Sequence, residues 1–79
     1  MNYLRLNQVK VKFSVSKSKI YQDINRGLFP EPIKIGRSSF WIEDEIDQLM
    51  YFLGSMNREE VEIKEFVKIL MEKRKNVIL

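Results

Sequence analysis

Seventy-nine residues without a cysteine or a histidine exclude a disulfide framework, thiolate nucleophiles, the usual zinc ligand sets and the side chain most used for proton transfer near neutral pH. An apolar content of 44% supports one small folded domain, and a chain this short seldom encloses a substrate pocket besides its core, so a binding protein rather than an enzyme is expected, with no cofactor and no metal. The net charge of +3 hides a split: residues 1–42 carry eight cations against two anions, and residues 43–79 carry six against nine.

A basic front and an acidic back orient a molecule toward a polyanion. The longest apolar run, Leu49 to Leu53, falls far short of the ~20 residues that span a bilayer, and the first residues lack a signal-peptide pattern. A cytoplasmic, nucleoid-associated protein is the expectation.

In chain order, Tyr3 to Leu6 alternates as a short strand, and Asn7 is placed to cap a helix running to about Phe13, with Val9 and Phe13 on one face. Ser14-Val15 is a tight connection into a second helix capped by Ser16 and closed by Gly27, with Ile20 and Ile24 on its inner side. Two short helices so joined predict a helix-turn-helix. Pro30 and Pro32 keep the next segment extended. Ile33-Lys34-Ile35 and Ser39 to Ile42 then form a hairpin through Gly36-Arg37-Ser38, with Ile33 and Ile35 expected on its inner face and Trp41 in the core.

Asp44 is the expected cap of a third helix with an apolar stripe at Ile46, Leu49, Met50 and Leu53, which Gly54-Ser55 ends. Asn57 with Glu60 has capping-box spacing for a fourth helix from about Arg58 to Lys75. Its acidic start and basic end suit the helix dipole. The fold class expected is mostly α with a small β-hairpin, a winged helix-turn-helix over residues 1–53 followed by a C-terminal helical extension over 54–79.

DNA affinity comes mainly from neutralised phosphates, and specificity from the few side chains that reach base edges. The start of a second helix-turn-helix helix enters the major groove, which puts Lys17, Ser18 and Gln22 toward bases and leaves Ser16, Lys19 and Tyr21 for phosphate. Arg37 at the hairpin tip suits a narrow minor groove or a phosphate. Ser38 and Ser39 are secondary candidates there. The acidic run Glu43, Asp44, Glu45 and Asp47 reads as a helix start rather than a metal cluster.

Leu4-Arg5-Leu6, Val9, Ser16-x-Ser18-x-Ile20-Tyr21-x-x-Ile24, Arg26-Gly27-x-Phe29-Pro30-x-Pro32-Ile33-Lys34-Ile35-Gly36-Arg37, Trp41 and Glu45-Ile46 together resemble the AlpA-type phage and prophage regulators, small winged-helix relatives of the excisionase and MerR DNA-binding domains. The resemblance covers about residues 4–53. It implies double-stranded DNA recognition by the Ser16 helix with residues 36–39 as the wing, in a transcriptional regulator or excision directionality factor of a mobile element. The chain departs from the family in having Ser14 where glycine is common, and in extending through residues 54–79. Two other readings remain: a protein-interaction adaptor using the fourth helix, and the DNA-recognition subunit of a phage packaging complex. Apolar positions on that helix, Phe66, Val67 and Leu70 among them, are expected to meet a second copy or another protein, together with Val77 to Leu79.

Overall fold

The computed structural model describes residues 2–78, with side chains through residue 75. The elements are β1 (Tyr3–Arg5), α1 (Leu6–Phe13), α2 (Lys17–Asn25), β2 (Ile33–Ile35), β3 (Ser38–Ile42), α3 (Glu43–Ser55) and α4 (Glu60–Ile78). The mostly helical class with a small hairpin is the one observed. The sheet is larger than a hairpin, because β1 joins it: the antiparallel order is β1-β3-β2.

Strand β3 is central, and its parity decides which residues enter the core. Leu4 pairs with Trp41, and both are buried. Ile33 and Ile35 pair with Phe40 and Ser38, so they lie on the opposite face, and Ile35 is 55% exposed. The expected inner placement of these isoleucines is therefore corrected. A period of two puts Trp41 on one face of β3 and Ser38 and Phe40 on the other, and Trp41, the largest buried side chain, faces the core. Its indole Nε1 donates to the Pro30 carbonyl at 2.9 Å, which satisfies the one polar atom this ring would otherwise bury.

The helix-turn-helix closes at Ser14, whose φ of 54° and ψ of 44° are left-handed. Ser14 N–H donates to Val11 and Val15 N–H donates to the Lys10 carbonyl, the bond pattern of a Schellman motif. The turn keeps its geometry with serine in a conformation that glycine adopts more readily.

Three expected caps do not form. Helix α1 starts at Leu6 directly after β1, and the side-chain Oε1 of Gln8, rather than Asn7, engages the entry by accepting from Arg5 N–H at 2.8 Å. Helix α3 follows β3 without a loop, so Asp44 lies within the first turn. Helix α4 starts at Glu60 rather than near Arg58, too late for Asn57 to cap it, and the Glu59 carbonyl accepts from Glu62 and Ile63. Arg58 instead turns back onto α3. It donates through Nε to the Phe52 carbonyl at 3.2 Å, donates to Ser55 Oγ at 3.0 Å, and lies 4.0 Å from the Phe52 ring centroid. A helix-terminal carbonyl thereby gains a charged donor.

Leu4, Val9, Ile20, Phe29, Trp41, Ile46, Leu49 and Val67 form the buried cluster, with Leu53, Ile63, Phe66 and Met71 packed against it. Met50 is 37% exposed, unlike the buried Ile46 and Leu49 of the same stripe. Val67 and Leu70 are buried within the monomer, so neither is available to a partner as expected. The expectation for Val77 to Leu79 lies outside the described side chains. Next to the core, the buried Glu45 carboxylate accepts a bidentate pair from Arg74, including Nε to Oε2 at 3.0 Å, and Arg74 also donates to the Glu31 carbonyl at 2.9 Å. Arg74 thus joins α4 to α3 and to the segment leading into β2.

Candidate nucleic-acid interface

Ser16 begins α2 as its N-cap, and its Oγ accepts from Lys19 N–H at 3.2 Å. That leaves its hydroxyl proton and the first free N–H groups of the helix for an anion. With Ile20 buried and Ile24 partly buried, a rotation of about 100° per residue places Ser18 and Gln22 on the outward side. Both are exposed. Asn25 shares that side and is also exposed; its spacing from Ser18 and Gln22 was the signal that identifies it.

Lys17 and Tyr21 lie on one flank of α2. They line an open, largely polar cleft of about 380 Å³ with Arg5, Leu6, Asn7, Ser38 and Ser39. Tyr21 is half-buried, its ring 6.4 Å from that of Trp41 in an edge arrangement, so the indole that anchors the core also supports the wall of the cleft. Neither Arg5 nor Asn7 was expected at this surface from the sequence. Arg5 reaches the cleft because β1 pairs with β3, a non-local fact, and its guanidinium carbon lies 5.2 Å from the Phe40 ring centroid.

Lys19 lies on the other flank, where its ammonium pairs with Asp23 at 3.0 Å. It faces an apolar pocket walled by Phe13, Val15, Leu28 and Ile63 rather than the wing. The structure therefore brings Lys17, Tyr21, Ser38 and Ser39 together and sets Lys19 apart.

The wing turns through Gly36 and Arg37, with β3 already begun at Ser38. Gly36 has φ of 62° while Arg37 is not left-handed, the pattern of a type II′ hairpin turn. Arg37 is exposed at the tip and has no ion-pair partner among the described residues. Below it, Lys34 donates to Ser39 Oγ at 2.6 Å across the β2–β3 pair. This adds a second cation to the wing. No group of metal-ligating side chains occurs among the described residues.

The family model described as prophage CP4-57 regulatory protein (AlpA) matches residues 2–52. The chain belongs to the AlpA family. Its winged helix-turn-helix is the fold of a DNA-binding transcriptional regulator, as the family assignment states, and the match spans β1 through most of α3, leaving α4 outside. No curated protein and no solved structure matches the chain. No described helix is long and apolar enough to cross a membrane.

Proposed function

We propose that this AlpA-family regulator binds double-stranded DNA with sequence preference, seating the start of α2 in the major groove and the Gly36–Arg37 tip in the adjoining minor groove or on its phosphates. The observation that carries this reading is the cleft that gathers Arg5, Lys17, Tyr21, Ser38 and Ser39 between the two α-helical N-termini and the wing. A concave surface with two cations and three hydroxyls matches a phosphate backbone. Outside it, Ser18 and Gln22 stand on the outward side of α2 toward base edges, and Ser16 offers a phosphate contact at the helix N-terminus. Lys17 adjoins them between that side and the cleft, reading guanine while its charge adds to the cleft. Lys19, held by Asp23, supplies field rather than a fixed contact.

On this reading residues 1–53 are the DNA-binding unit, 54–79 an extension, and the protein works in the cytoplasm at the nucleoid as a homodimer. A single small module buries only ~600–1,000 Å² on DNA, and joining two raises the effective concentration of the second. Control of transcription and direction of excision use the same surface. A footprint over several adjoining sites with a bend would favour excision, and a single unbent operator would favour transcriptional control. Fluorescence anisotropy with a random duplex at two salt concentrations tests the reading: binding that weakens steeply with salt supports it, and no binding at low salt favours a protein-interaction adaptor. An accompanying ATPase subunit would mark a packaging role instead.

A further inference from the structure

The C-terminal helix carries an outward face that its own monomer leaves uncovered. Phe52 of α3 and Phe66 of α4 stack with centroids 4.1 Å apart. On either side of this stack open two predominantly apolar clefts of about 510 and 520 Å³, both walled by Phe52, Arg58 and Phe66. Tyr51 is 80% exposed on the rim of the first; Val61 and Ile69, 68% and 43% exposed, lie on the second. No residue of either cleft belongs to the cleft between α2 and the wing, so occupation of this face leaves the DNA surface open.

Charge on α4 identifies the occupant. Glu62 and Glu65 flank the apolar stretch near its start, while Lys68, Lys73 and Lys75 follow toward its end. At 100° per residue, Glu62, Phe66, Ile69 and Lys73 fall within about 60° of one another, a single stripe. The stripe reads acidic, aromatic, aliphatic, basic. It is complementary to itself when reversed: two copies related by a two-fold axis between positions 67 and 68 place Glu62 opposite Lys73 of the partner subunit and Phe66 opposite Ile69 of the partner subunit, twice over. A parallel arrangement would instead face like charge with like. An isologous interface demands this kind of self-complementarity.

We propose that a second copy of this chain docks antiparallel along α4 through Glu62, Phe66, Ile69 and Lys73. Glu62 already lies 3.5 Å from Arg58, and the partner's lysine extends that pair into a three-charge chain. The inference rests on the reading of the regulator as a homodimer and names its surface, which differs from the one centred on Val67 and Leu70.

Sedimentation equilibrium of the full chain without DNA, up to high-micromolar concentration, tests it independently of DNA reading. A dimer is expected. Ile69→Glu, at a position 43% exposed, is expected to raise its dissociation constant about 100-fold or more. Glu62→Lys and Lys73→Glu are each expected to raise it by roughly tenfold, since two exposed pairs are reversed at once, and the double reversal to restore it. Circular dichroism confirms that each variant is folded. A dimer indifferent to all of these variants would overturn the face while leaving the homodimer; a wild-type chain that stays monomeric would overturn both.

Discussion

Arginine performs opposite tasks in the two halves of this molecule. In the back half both arginines are used inside the monomer: Arg58 closes the end of α3, and Arg74 holds a buried carboxylate and a main-chain carbonyl. At the front, Arg5 and Arg37 meet no carboxylate among the described residues, and neither do Lys10, Lys17 or Lys34. The other front cations, Lys12, Lys19 and Arg26, are paired with Asp47, Asp23 and Glu60. What suits the front to a polyanion is therefore the five cations left unpaired, more than the total charge. Arg58 and Arg74 serve cohesion while five front cations stay unpaired among the described residues, so substitutions at these two sets of positions separate into losses of stability and losses of binding.

The largest expected effect is at Arg74. Arg74→Ala strands the buried Glu45 carboxylate and is expected to cost about 3–5 kcal/mol of stability, read as a fall in the thermal midpoint of at least ~12 °C for a domain of this size, with DNA affinity of the folded protein unchanged. Replacing both partners, as in Glu45→Leu with Arg74→Met, is expected to recover most of that loss because no charge remains buried. A binding defect exceeding the stability defect in Arg74→Ala would break the division between the halves.

Salt examines the other side of the comparison. With roughly four to five unpaired front cations meeting phosphate, each contributing about −0.9 to the slope of log affinity against log salt, affinity should fall roughly 10²- to 10³-fold between 50 and 200 mM. Anisotropy titrations at intermediate salt give the slope, and each of Arg5→Ala and Arg37→Ala should make it shallower by about 1.

Ser14→Gly relieves the left-handed turn and is expected to stabilise the fold by about 1 kcal/mol, raising the thermal midpoint by about 4–8 °C without altering DNA affinity. The smallest effect belongs to Lys12. Its hydrogen bond to Asp47, at 2.8 Å, and the carboxylate charges of Asp47 and Glu43 hold the ammonium above its ordinary pKa of 10.5. A lysine raised on folding contributes stability below its unfolded pKa and loses that contribution as pH rises through the folded value. Thermal melts of Lys12→Gln and the parent protein are thus expected to differ slightly at neutral pH and to converge only above about pH 10.5.

Much of this arrangement was legible in the sequence because it is local. The Ser16 cap and the Gly36 turn with Arg37 at its tip each depend on neighbours within a few residues, and the division of charge is read from the sequence directly. The proposed DNA surface was legible as two pieces, α2 and the wing; that they share one cleft with Arg5 depends on β1 pairing with β3, which joins residues far apart in the chain. Ile33 and Ile35 were misplaced because apolar residues occur on both faces of the strand, and only the register with Phe40 separates them. Val67 and Leu70 were misplaced for a related reason: α4 is apolar on two sides, and its spacing alone does not distinguish the side that closes the core from the side left open. The caps at Asn7 and Asp44 failed where strands run straight into helices and leave no capping position.

Selection from a random duplex library, with the parent protein, Lys17→Ala, Gln22→Ala and Arg37→Ala compared, decides whether α2 reads bases while the wing supplies groove and phosphate contacts. Gln22→Ala and Lys17→Ala are each expected to alter the selected motif, Gln22→Ala relaxing one position by about 1–3 kcal/mol of discrimination, whereas Arg37→Ala is expected to recover the parent motif at lower affinity. Parent-like motifs from both α2 variants, with a changed motif from Arg37→Ala, would contradict this assignment of roles.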